Sequence, residues 1–202
     1  MKEVKVMVPD GKQAEWKEVN GVMMLVLVDE QEQDNRPVTE RIKTFDDACR
    51  ELGRMSENGD EIAMGLIQDW NNLNTKSLEL IAYHKLRIIV YAINEGWSPK
   101  FTSSEYRYYN WFYLYTKDEL DAMDEDDRRR VVGRAHNYPN ANGGCVYASA
   151  YSASSYSLTS HGARLAFKDR ERAEYAGRQF AELWAQFFFD NAVEGWEWKE
   201  NA

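Results

Sequence analysis

Cys145 is the one thiol in this 202-residue chain with histidines close in sequence, His136 and His161. A nucleophilic cysteine needs a base within hydrogen-bond reach and a positive surrounding. His161 lies just before a short strand pattern at Arg164–Lys168, so antiparallel adjacency would bring it near Cys145. No motif around either residue repeats such an arrangement, and burial is the ordinary fate of a small thiol. Cys49 and Cys145 form neither a CxxC nor a CxxxH pattern and read as reduced, not as a disulfide. His84 falls inside a helical pattern and reads as a core or boundary residue. Asp121, Asp124, Glu125, Asp126 and Asp127 make an acidic cluster, yet a divalent cation needs carboxylates that converge, and the EF-hand glycine is absent. Three arginines follow at once, so the run reads as a solvated helix with Asp124–Arg128 and Asp126–Arg130 pairs. Gly143-Gly144 lacks the GxxxxGK[ST] or GxGxxG setting that cradles phosphate. The expectation is a non-enzymatic protein with no metal and no cofactor.

Two stretches have the chemistry of recognition instead. Asn137–Gly162 is built from Tyr, Ser, Gly, Asn and Ala, the mixture of rigid aromatics and small polar residues that makes adaptable contact surfaces. Tyr147, Tyr151 and Tyr156 are its candidate partner-binding side chains; the alternative is a strand pair packed on the last helix with its tyrosines half-buried. Tyr106–Thr116 is dense in aromatics, and Tyr108, Trp111 and Tyr113 on an open sheet would stack single-stranded bases while Arg128, Arg129 and Arg130 followed the phosphates. Charge argues against that second reading as the leading one. The net charge is −9, and residues 1–97 hold 12 Lys/Arg against 18 Asp/Glu, the wrong sign for binding driven by counterion release. A binding or assembly module with a protein partner is therefore expected, with a single-stranded nucleic-acid binder as the alternative.

The elements that must position these residues follow from periodicity. Val4, Val6 and Val8 alternate with polar or longer residues, and Glu15–Val19 and Val22–Val28 flank Asn20-Gly21, a strong hairpin signal. Residues 1–29 are thus an expected β-meander and small lobe, apolar on both faces over Met23–Val28, and a possible surface for self-association. Residues 30–41 are polar and carry Pro37, an expected linker, and residues 42–202 form the main domain. Thr44-Phe45-Asp46-Asp47 has the form of a capping box before a short helix ending at Gly53; Asp60–Trp70 is a second short helix. Ser77–Glu95 is the longest helical pattern, apolar around most of its girth and so covered on several sides, with Gly96 as its stop. Thr116-x-x-Glu119 is a full capping box. Cys145–Tyr151, a short Tyr156–Leu158 piece and Arg164–Lys168 read as strands. Asp169 then caps a continuous helix to Phe189, whose stripe is Ala173, Ala176, Phe180, Leu183 and Phe187, with Ala176-Gly177 allowing close approach. The fold class is α+β, an antiparallel sheet packed against two long helices with an N-terminal β-meander. Val22–Val28 and Ile88–Ile93, the longest apolar runs, fall far short of the roughly 20 residues of a membrane span, and no signal-peptide pattern follows Met1. A cytoplasmic location is expected.

Glu40-Arg41-Ile42-Lys43-Thr44-Phe45, Asn94-Glu95-Gly96-Trp97, Val131–Ala135, Ala141–Gly144, His161–Lys168 and Ala173–Phe180 together resemble a family of uncharacterised proteins encoded by gut Bacteroidetes and by their phages and prophages. The resemblance spans most of residues 40–190. It implies a small accessory protein of mobile-element origin and gives no residue a role.

Overall fold

The computed structural model describes residues 6–10, 12–19, 22–29, 36–100, 102, 104–133, 141–154 and 164–189. The chain is α+β and divides into two compact units, Met1–Arg36 and Pro37–Ala202.

In the first unit, β1 (Lys12–Val19) pairs antiparallel with β2 (Val22–Asp29), Lys12 opposite Asp29 and Val19 opposite Val22. Val6–Val8 belong to no strand, so the described part of the expected meander is a two-stranded hairpin. With no third strand or helix on it among the described residues of this unit, the hairpin leaves Trp16, Val22, Met23, Met24 and Leu27 exposed.

The second unit begins earlier than its sequence suggests. Val38–Arg41, part of the expected linker, is a helical turn (α1) whose Val38 is buried together with Ile42. Two apolar side chains four residues apart outweigh the polar composition around them. α2 (Phe45–Glu57) opens on the Thr44–Asp47 capping box and runs through Gly53, the expected stop, as far as Glu57. Buried Leu52 and Met55 on either side of Gly53 hold the helix together there, and the turn comes at Gly59, where φ is +88°. α3 (Glu61–Asn71) is capped by Asp60, and α4 (Leu78–Ile93) by Ser77. α4 buries Ala82, Leu86 and every residue from Ile88 to Ile93, because α2, α3, α7 (Arg170–Gln179) and α8 (Ala181–Phe188) all pack on it.

β3 (Tyr106–Tyr115) pairs antiparallel with β4 (Gly144–Ser154), and single bridges Tyr108–Phe167 and Val132–Cys145 extend the two edges. The expected strand Arg164–Lys168 is reduced to that Phe167 bridge. Leu165, Ala166 and Phe167 are all buried in succession, so the local apolar density comes from burial on every side rather than from a pleat with one wet face. Asn94 at the end of α4 fixes this segment, donating to the Ala166 carbonyl at 2.9 Å and accepting from the Lys168 amide at 3.1 Å. Between the strands lie α5 (Lys117–Ala122), opened by the Thr116–Glu119 capping box, and α6 (Glu125–Arg128). The closing helix is broken in two. Asp169 caps α7 as expected, but Phe180 leaves helical geometry at φ −114°, ψ 29°, and α8 starts afresh at Ala181. The break rotates the second half, so Trp184 and Ala185 are buried while Leu183 and Phe187 pack at the margin of the core.

Candidate functional site

Pleating splits the aromatics of β3 between two faces. Tyr108, Asn110 and Phe112 face α7 and α8: Tyr108 and Phe112 pack on the main core, and Asn110 lies against Gly177. Trp111 and Tyr113 alternate with them and stand 59% and 62% exposed on the outer face. Tyr108 is thus separated from the two aromatics with which its sequence grouped it.

β4 makes the same division with an added step. Phe112 is opposite Tyr147 and Trp111 opposite Ser149, so Ala148 is an extra residue, a β-bulge. A regular strand would put Tyr147 and Tyr151 on one face, as their four-residue spacing implies. The bulge shifts the parity. Tyr147 turns inward together with buried Ala150, and Tyr151 turns outward at 63% exposed. Tyr147 then packs its ring on Gly177, where any β-carbon would collide with it, meets Phe112 edge-to-face at 5.8 Å, and lies under the Arg178 guanidinium at 5.2 Å. Its hydroxyl and the Asn110 amide are buried without a hydrogen-bond partner among the described residues. Burial, with Glu174 adding to it, pushes the phenol's pKa up. Tyr147 is therefore a packing residue. Tyr156 lies outside the described residues.

On the outer face Tyr151 is opposite Tyr109 in the ladder and diagonal to Trp111, whose ring it meets edge-to-face at 6.1 Å. Trp111, Tyr113 and Tyr151 form the candidate site, an aromatic platform on paired strands whose reverse side is clamped by α7. The sequence divides this one platform between two separate sets of candidates. The antiparallel pairing of the two aromatic-rich strands is the signal that joins them.

Two of the three arginines in the cluster are paired with carboxylates, and the third is held by backbone carbonyls. Arg128 donates to the carbonyls of Asp121 and Met123, Arg129 pairs with Glu125 at 2.6 Å, and Arg130 pairs with Asp127. The pairs expected from sequence, Asp124–Arg128 and Asp126–Arg130, are replaced because Asp124 serves as the cap of α6, accepting from the Asp127 amide at 2.8 Å. Helix start and charge pairing compete for the same carboxylate, and the cap wins.

Compared with family models, with curated proteins and with solved structures, the chain matches none. What remains is the chemistry of the residues. Cys145 is fully buried and burial pushes its thiol up to about 12, far from the thiolate a nucleophile requires. His136 and His161 lie outside the described residues. Among the described residues no group of three His, Cys, Asp or Glu side chains is placed to hold a metal, and no helix is long and apolar enough to cross a membrane. The Gly143-Gly144 pair serves the β3–β4 junction: Gly143 donates to the Tyr115 carbonyl at 2.7 Å, and Gly144 has φ +112°. Side chains at either position would run into backbone oxygens, which is reason enough for glycine there.

Proposed function

We propose that this chain is a non-enzymatic binding module of mobile-element origin that engages a protein partner through the outer face of β3 and β4. One observation carries the reading: Trp111, Tyr113 and Tyr151 are exposed together on a sheet whose other face is packed against a helix. Large aromatics on a rigid element give wide contact area at small entropic cost, and they are the side chains that dominate binding energy at protein interfaces. The net charge of −9 and the carboxylate-held Arg129 and Arg130 favour a protein over a nucleic acid, which would stack on the same rings. The mobile-element origin rests on the resemblance of residues 40–190 to the phage and prophage family.

The test compares wild type with the Trp111→Ala/Tyr151→Ala double variant in capture from lysate of the native host, with Tyr147→Phe as an inward-facing control. The double variant is expected to lose the captured partner by about tenfold or more while keeping its melting temperature, and Tyr147→Phe to retain the partner. Salt-eluted retention of wild type on a single-stranded DNA column, lost in the double variant, would overturn the protein reading in favour of nucleic acid.

A further inference from the structure

The two edges of the first unit's hairpin differ in sequence. β1 carries Lys12, Glu15, Lys17 and Glu18, whereas β2 runs from Val22 to Val28 without a charge and reaches Asp29 only at its end. Charged residues along an edge strand discourage a further strand from pairing with it, and a long uncharged edge invites one. Among the described residues neither strand pairs with a third. Two strands alone are marginal in water, and stability needs three or more with an apolar face. Such a face is present: Ala14 and Trp16 stand opposite Leu27 and Leu25, and Trp16, Met23 and Leu27 are exposed.

β2 is close to self-complementary about Leu25. A two-fold axis through Leu25, perpendicular to the sheet, would set this residue opposite its own copy, Met24 opposite Val26, Met23 opposite Leu27 and Val22 opposite Val28. The whole uncharged run then pairs with itself, and Asp29 falls beyond it. No like charges meet along the seam. The same axis keeps the faces matched, so the Trp16–Leu25 row of one copy continues into the Leu25–Trp16 row of the other. A ladder of this length supplies about six to eight backbone hydrogen bonds, within the range of a protein interface. The charged β1 strands become the outer edges, which stops growth at four strands. A foreign strand would need a matching uncharged run, and a second copy brings one by symmetry.

We propose that this chain forms a two-fold dimer through antiparallel pairing of β2 with β2 of a second copy, giving a four-stranded sheet in the order β1–β2–β2–β1. The inference is independent of the protein-binding reading, because it uses none of the residues of the β3–β4 face.

The test is sedimentation velocity of the full chain from about 1 to 100 µM. Wild type is expected to pass from monomer to dimer over that range and to go no further. Leu25→Lys and Leu25→Glu each set like charges opposite one another at the axis, and each should weaken the dimer by about tenfold or more. An equimolar mixture of the two variants should dimerise again, because lysine then faces glutamate; recovery on mixing also separates a broken seam from a misfolded hairpin. Trp111→Ala/Tyr151→Ala should dimerise like wild type. The inference is overturned if wild type stays monomeric or grows beyond a dimer, if Leu25→Lys dimerises like wild type, if the mixture does not recover, or if the Trp111→Ala/Tyr151→Ala variant loses the dimer.

Discussion

Gly177 shows how one residue decides which tyrosine is free. Its missing β-carbon is the space occupied by the Tyr147 ring, so Tyr147 is held inward and only Tyr151 reaches the outer face. Gly177→Ala forces the ring or the helix to move and should cost about 1–3 kcal/mol, the range for overpacking a filled core position. A denaturation midpoint unchanged by the substitution would show that the contact is loose. The permissive Ala176-Gly177 step was legible in the sequence. Its occupant was not, because a β-bulge at Ala148 reverses face parity and no residue type in Tyr147–Tyr151 announces it. Trp111 and Tyr113 could be placed on one face from spacing alone, and Tyr108 on the other, since β3 has no such interruption.

At the scale of elements, helix starts were the most legible feature, because a cap is a contact within three residues. Thr44, Asp60, Ser77, Thr116 and Asp169 all accept from the amides of the first turns they precede. Helix ends were less so: Gly53 is passed over by α2, and the break at Phe180 has no glycine or proline to mark it. Tertiary packing sets both, through side chains distant in sequence. Phe180 is 8% exposed at the junction of α7 and α8 and belongs to the main core. Phe180→Ala should therefore destabilise the chain by about 3–5 kcal/mol, as expected for deleting a buried phenyl ring. A melting curve that hardly moves would mean that this junction is not part of the core. The aromatic platform depends on the same junction, since α7 and α8 cover the reverse of the sheet.

For the second unit as a whole, charge ties the helical half to the segment before α7. Glu95, at φ +52° just past the end of α4, accepts from Arg41 and Lys168, each at 3.3 Å, and from Arg172; Glu51 accepts from Arg41 at 2.8 Å and Arg54 at 2.7 Å. Burial works to raise the pKa of both carboxyls, and the hydrogen bonds and charges of these partners outweigh it and hold both below the ordinary value of 4.5. A depressed carboxylate stabilises the fold above its unfolded pKa, and that contribution is lost as pH falls through the lower folded value. Cys145 acts at the other end: its raised thiol stays protonated in the fold while the unfolded thiol ionises, so stability declines as pH rises beyond about 9. The melting temperature should therefore hold between these limits and fall on either side, and Glu95→Gln should flatten the acid limb. An acid limb unchanged by that substitution would show that the network contributes nothing.

On the proposed function, Trp111, Tyr113 and Tyr151 are open in the free chain, as their exposure shows, and are expected to be covered when a partner binds. Hydroxyl-radical footprinting reads this residue by residue. In the free chain Trp111, Tyr113 and Tyr151 should be labelled strongly and Tyr147 weakly; with the captured partner bound, the first three should become protected and Tyr147 should not change. Weak labelling of Trp111 and Tyr151 in the free chain, or labelling that the partner leaves unaltered, would contradict the account.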